Sequence, residues 1–111
     1  MKLFSYFVIG IGFLGLASPV WADAEDIQHC MEDLMSIGVG QNDAYKECRR
    51  AGEYAVEMGH CSIGLVRFGI RADHAVKECR RQGAYVVEFY GCVRDLVEKG
   101  VRPDKAVAYC R

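Results

Sequence analysis

The feature that most limits what this chain can fold into is an internal period. Cysteines stand at 30, 61 and 92 and again at 48, 79 and 110, two series with one 31-residue step. Leu34, Leu65 and Leu96 keep the same step, as do Gly38, Gly69 and Gly100, and Ala44, Ala75 and Ala106. Arg49, Arg80 and Arg111 follow the second cysteine each time, and Gly52/Gly83, Tyr54/Tyr85 and Glu57/Glu88 extend the match. Self-similarity of this length marks stacked supersecondary units, none of which can bury its own apolar face alone. The units run 30–60, 61–91 and 92–111, with 23–29 completing the first helix.

Apolar spacing says what each unit is. Tyr54, Met58, Cys61, Leu65 and Phe68 step by 4, 3, 4 and 3, which keeps them on one face of a helix. Ile27, Cys30, Leu34 and Ile37 do the same, as do Tyr85, Phe89, Cys92 and Leu96. Each long helix then meets a glycine (38, 69 or 100) followed by Val39, Ile70 or Val101, the signature of a left-handed cap whose next residue packs back on the last turn. A second, shorter helix follows. Pro103 suits its first position, Asp104 and Asp73 suit its positive end, and Asn42-Asp43 is a shifted version. Gly52 and Gly83 close these shorter helices. The pattern predicts six helices, at 24–37, 41–51, 53–68, 72–82, 84–99 and 103–111. Gly59, Gly64 and Gly91 fall inside long ones, at up to about 1 kcal/mol each relative to alanine.

Six cysteines allow fifteen pairings, and the hairpin geometry chooses among them. The midpoints of 30–48, 61–79 and 92–110 are 39, 70 and 101, the residue just after each capping glycine. In an antiparallel hairpin, equal distance from the turn puts both cysteines at one height on facing sides, within the separation a bridge tolerates. The expected pairs are therefore Cys30–Cys48, Cys61–Cys79 and Cys92–Cys110. Each closes a loop of 17 intervening residues, for which chain entropy gives roughly 3 kcal/mol. Three together approach the whole net stability of a typical small domain.

Residues 1–22 read as a cleaved secretory signal: Lys2, an apolar run over 3–17, and Val20-Trp21-Ala22 before the cleavage point. A run of fifteen residues, apolar but for Ser5, falls short of the roughly 20 needed to span a bilayer, so no stable membrane insertion is expected after cleavage. The mature chain, 23–111, is then one small helical-repeat domain, exported to the periplasm or the extracellular space. It carries 13 basic and 15 acidic side chains, which gives no case for nucleic acid. The distribution is uneven: nine acids against three bases over 23–60, six against ten over 61–111. Such a polarity can orient a partner or stack copies head to tail.

Chemistry is sparsely supplied. The mature chain has Ser36 and Ser62, no threonine and no Cys-x-x-Cys, so the nucleophile, base and orienting group of an active site cannot be assembled. The expectation is a protein that is not an enzyme and needs no cofactor. A copper- or zinc-binding or thiol-handling role is the alternative, through His29, Cys30, His60 and Cys61 with Met31, Met35 and Met58 nearby. Adjacent helical residues point about 100° apart, which makes this the weaker reading. Two ladders remain. Arg49, Arg50, Arg80, Arg81 and Arg111 form a possible binding ridge for carboxylate or phosphate groups, with Tyr54 and Tyr85 as aligned aromatic contacts. Asp26, Glu57 and Glu88 are its expected acidic counterpart. The sequence thus points to an all-α chain of three disulfide-stapled hairpins, stacked as a short α-solenoid or compact bundle. Its expected role is a binding or scaffold module for a protein partner, because helical arrays work through extended surfaces.

Overall fold

In a computed structural model, which describes residues 24–111, every regular element is a helix. The expected secretory signal at 1–22 and its expected cleavage point lie outside the described residues. Six α-helices follow in order: α1 (Ala24–Ser36), α2 (Gln41–Ala51), α3 (Ala55–Arg67), α4 (Ala72–Gln82), α5 (Val86–Glu98) and α6 (Pro103–Cys110).

The turns inside the hairpins have one cause. Gly38, Gly69 and Gly100 sit at φ 98°, 106° and 97°, where a Cβ would be strained. That conformation lets the N–H of Val39, Ile70 and Val101 donate to the carbonyls of Leu34, Leu65 and Leu96 at 3.1, 3.0 and 3.0 Å. The glycine N–H groups donate to Met35, Val66 and Val97 at 3.0, 2.9 and 2.9 Å. These two bonds are the Schellman arrangement, which satisfies carbonyls that a helix end otherwise leaves bare. Three turns of the same shape therefore aim α2, α4 and α6 back along α1, α3 and α5.

Across each turn lies one disulfide. Cys30–Cys48, Cys61–Cys79 and Cys92–Cys110 all have Cα atoms 5.9 Å apart, and no described cysteine is free. The first two bridges are buried and the third is half-buried. Three bonds of this kind belong to an oxidising environment, and no described helix is long and apolar enough to cross a membrane.

Gly52 and Gly83 make the other connection. At φ 60° and 54° with ψ near −125°, each holds a backbone shape that other residues avoid. The chain does not enter the next α-helix directly, as the periodicity predicts, but through one tight 3-10 turn, Gly52–Tyr54 or Gly83–Tyr85. The sharp reversal at glycine leaves room only for the narrower winding before α3 and α5 begin.

One core threads the helices, built from Leu34, Met58, Leu65, Val86 and Val93 with the buried bridges and small Ala44, Ala55, Ala75 and Ala106. Consecutive hairpins are also tied by charge. Arg80 of α4 pairs with Glu47 of α2. Arg111 donates from Nε and Nη2 to the carboxylate of Glu78 on α4, at 3.2 and 3.0 Å. Glu78 is only 2% exposed, so a two-pronged guanidinium is what makes its burial tolerable.

Candidate functional site

Two lines of contact join the long helices, α1 to α3 and α3 to α5, and they differ at one pair of positions. In the first, Gly59 lies directly on α1: a Cβ there would meet Asp33 Oδ2 at 3.0 Å, Asp33 Cβ at 3.2 Å and the Cys30 Cα at 3.4 Å. Backbones that close leave no space between them. In the second, the residue 31 positions on from Gly59 is Tyr90, and the residue 31 on from Asp33 is Gly64. The Tyr90 ring occupies the place that a Gly64 side chain would fill and stacks on Phe68, with ring centroids 5.9 Å apart and planes 9° from parallel.

Beside that ring opens a groove of about 440 Å³. Its α3 wall is Glu57, His60, Cys61, Ile63, Gly64 and Arg67, and its α5 wall is Val86, Val87 and Tyr90. The α3 residues recur at helical spacing over ten positions, so the groove runs roughly 15 Å along the helix. Ile63, Val86, Val87 and Tyr90 supply apolar floor and sides. Glu57, His60 and Arg67 supply a rim with both signs of charge. Val87 is 62% exposed, a large apolar side chain left facing water at the edge of the cleft. A concave apolar surface with a few polar groups on its edge is the usual form of a site that anchors a partner's side chain.

A second depression, about 470 Å³, lies between α2 and α4, where Asp43, Glu47, Asp73, Lys77 and Arg80 make its lining mostly charged. A shallower one, about 370 Å³, is bounded by Tyr45, Lys46, Arg49 and Arg50.

Of the residues singled out in the sequence, Glu57, His60 and Cys61 line the groove, and the arginine and tyrosine ladders lie elsewhere. Arg80 and Arg111 are held in the inter-hairpin pairs with Glu47 and Glu78. Their partners are these glutamates, 33 residues upstream, rather than the Asp26, Glu57 and Glu88 series. Arg81 stands 3.9 Å from Glu78. Arg49 donates to the Tyr45 hydroxyl at 2.9 Å and lies over its ring, 5.6 Å from the centroid. Arg50 is exposed beside it. Tyr54 is half-buried and Tyr85 is 72% exposed. The Tyr54 hydroxyl is held above the ordinary phenol range, first by its hydrogen bond to Glu53, because ionisation would set an anion beside that carboxylate.

His29 is exposed, 3.9 Å from both Glu25 and Glu32, and His60 reaches across to Asp33 at 3.7 Å. Cys30 and Cys61, the sulfur half of the metal alternative, are both spent in disulfides, and a disulfide sulfur lacks the thiolate that binds soft metals. No cluster of three or more potential metal-binding side chains occurs among the described residues.

The groove residues Ile63, Val87 and Tyr90 were not singled out by sequence reasoning. The available signal was the broken repeat, Gly59 becoming Tyr90 and Asp33 becoming Gly64, but its meaning depends on knowing that these two positions face each other. No protein-family model matches the chain, and no curated protein or solved structure matches it either.

Proposed function

We propose that this is an exported, non-catalytic binding module whose mature domain, 23–111, is a short stack of three disulfide-closed hairpins. The α3–α5 groove is its binding site, and the ligand is a protein segment that lays an apolar side chain between Ile63, Val87 and Tyr90. One observation carries the reading: an exposed valine beside an apolar cleft of about 440 Å³, in the size range of sites that bury a ligand group. Glu57 and Arg67, ten residues apart on α3, give the rim opposite charges at its two ends and so a preferred direction for the bound segment. The disulfides support export, since such bonds persist in oxidising compartments. They also support rigidity, because a preformed groove costs less ordering on binding.

Selection of peptides from a random displayed library against the oxidised protein tests this. Peptides with a large apolar anchor are expected, with affinity falling at least tenfold on Val87→Glu and unchanged on Tyr109→Glu. Enriched peptides indifferent to Val87→Glu, or none at all, would refute the assignment.

A further inference from the structure

Among the described residues the hairpin formed by α1 and α2 is the first, and its outward face is apolar. Ile27, Met31, Met35 and Tyr45 occupy the positions that Met58, Ser62, Val66 and Val76 hold in the second hairpin and Phe89, Val93, Val97 and Val107 in the third. In the second and third hairpins those positions are buried or half-buried, Val76 to 5% and Val107 to 3% exposure. In the first, Met35 and Tyr45 are each 45% exposed. Three of the four residues at each inner boundary are apolar, or all four, so this end has the composition of a covered surface, and no described element covers it.

We infer that a second copy of the chain covers it, seating the outer face of its α5–α6 hairpin on α1 and α2, so that chains associate head to tail. The inference rests on the stacked-hairpin reading and is independent of the groove. Three observations select this occupant. First, the same register reproduces contacts seen within the chain: His29 of one copy meets Asp95 of the next, as His60 meets Asp33 at 3.7 Å. Second, Arg49, the counterpart of Arg80 and Arg111, meets Tyr109, the counterpart of Glu47 and Glu78. Tyr109 is 80% exposed, and Arg49 already stacks on one tyrosine ring; a second ring replaces the ion pair by a cation–π contact. Third, charge is polarised along the chain, nine acids to three bases over 23–60 and six to ten over 61–111. Head-to-tail contact sets opposite signs together, whereas head-to-head contact would bring two α1 helices together, each with Glu25, Asp26, Glu32 and Asp33 and no lysine or arginine. A head-to-tail contact need not close on itself, so growth beyond the dimer follows.

Sedimentation of the oxidised protein from micromolar to millimolar concentration, with Met35→Glu and Tyr109→Lys, which sets a like charge against Arg49, decides the matter; both sites are exposed, so each variant should fold. The wild type is expected to rise past twice the monomer mass. Each variant alone stays monomeric, and their equimolar mixture stops at a dimer, because only one good face remains on each. The groove variant Val87→Glu should follow the wild-type curve, which separates this inference from the proposed binding site. A wild type that stays monomeric throughout overturns it. So does a Tyr109→Lys variant that self-associates like the wild type, the outcome of head-to-head pairing, or a mixture that forms no dimer.

Discussion

The two junctions between long helices are built from the same repeat and behave in opposite ways. Where α3 meets α1, the small residue is on the later helix: Gly59 lies against Asp33 and Cys30, and the helices touch through their backbones. Where α5 meets α3, the small residue is on the earlier helix: Gly64 receives the Tyr90 ring. At Gly59 one junction brings the helices into close contact, and at Gly64 the other carries a groove. The fold is set by features shared at every step, the capping glycines, the bridges and the Arg–Glu ties. Whether a junction opens into a groove follows one exchanged pair of residues. A repeat can thus keep its turns and bridges and acquire a groove by a local departure from its own pattern.

The most severe way to break the contrast is to give the closed junction the residue of the open one. Gly59→Tyr drives a ring into the α1 backbone at Cys30 and is expected to cost more than about 3 kcal/mol or to prevent folding, since overpacking a tight contact strains both helices. A urea midpoint near the wild-type value would show that the junction is not tight. The charge ties should also differ between the two steps. Arg111→Ala strips the two-pronged partner from a buried Glu78, leaving Arg81 and His74 at 3.9 and 3.6 Å. About 2–3 kcal/mol is expected. Arg80→Ala, opposite a more exposed Glu47, should cost about 1 kcal/mol. Equal losses for the two variants would remove the distinction.

A milder substitution sharpens the account of the groove. Gly64→Ala puts a methyl group where the Tyr90 ring lies, against its Cε1. The ring must swing, and although alanine favours the helix, the net cost is expected to be about 1 kcal/mol. The accompanying observation is a perturbed Tyr90 ring signal by NMR, and an unchanged spectrum would contradict the contact.

The smallest effect separates the first hairpin from the other two. Arg71–Asp73 and Arg102–Asp104 clamp the starts of α4 and α6, at 2.7 and 2.8 Å, where α2 begins after Gly40 without such a pair. Hydrogen bonding from the arginine holds the Asp73 and Asp104 carboxyl groups below their usual range. A folded pKa below the unfolded one gives stabilisation that is complete above about pH 4. It disappears as pH falls through the lower folded values. Carboxyl titration by NMR should place both below the ordinary aspartate midpoint, and Arg71→Ala should return Asp73 alone towards it. Because both pairs are fully exposed, their effect on global stability should be barely measurable.

Much of this was legible in the sequence because it is local or symmetric. The capping glycines announce themselves by a glycine–apolar pair at the end of a helical stripe. The disulfide pairing follows from cysteines equidistant from those turns. Pro103 and Asp104 mark a helix start. The 3-10 turns before α3 and α5 were not legible, since Gly52 and Gly83 signal a break without giving its shape. Facing partners across different hairpins were harder still. Arg80 and Arg111 align visibly, but selecting Glu47 and Glu78 over Glu57 and Glu88 requires the offset between stacked helices, which periodicity along one helix does not contain. For the same reason Gly59 and Gly64 read only as misplaced helix glycines until their neighbours were known.

Both junctions exist only if each hairpin is closed on itself. Non-reducing mapping with a glutamate-specific protease tests this directly, because Glu32, Glu47, Glu53, Glu78, Glu88 and Glu98 set all six cysteines on separate peptides of different sequence. The expected linked pairs join Cys30 to Cys48, Cys61 to Cys79 and Cys92 to Cys110. A peptide joining Cys48 to Cys61, or Cys79 to Cys92, would contradict the account at its root.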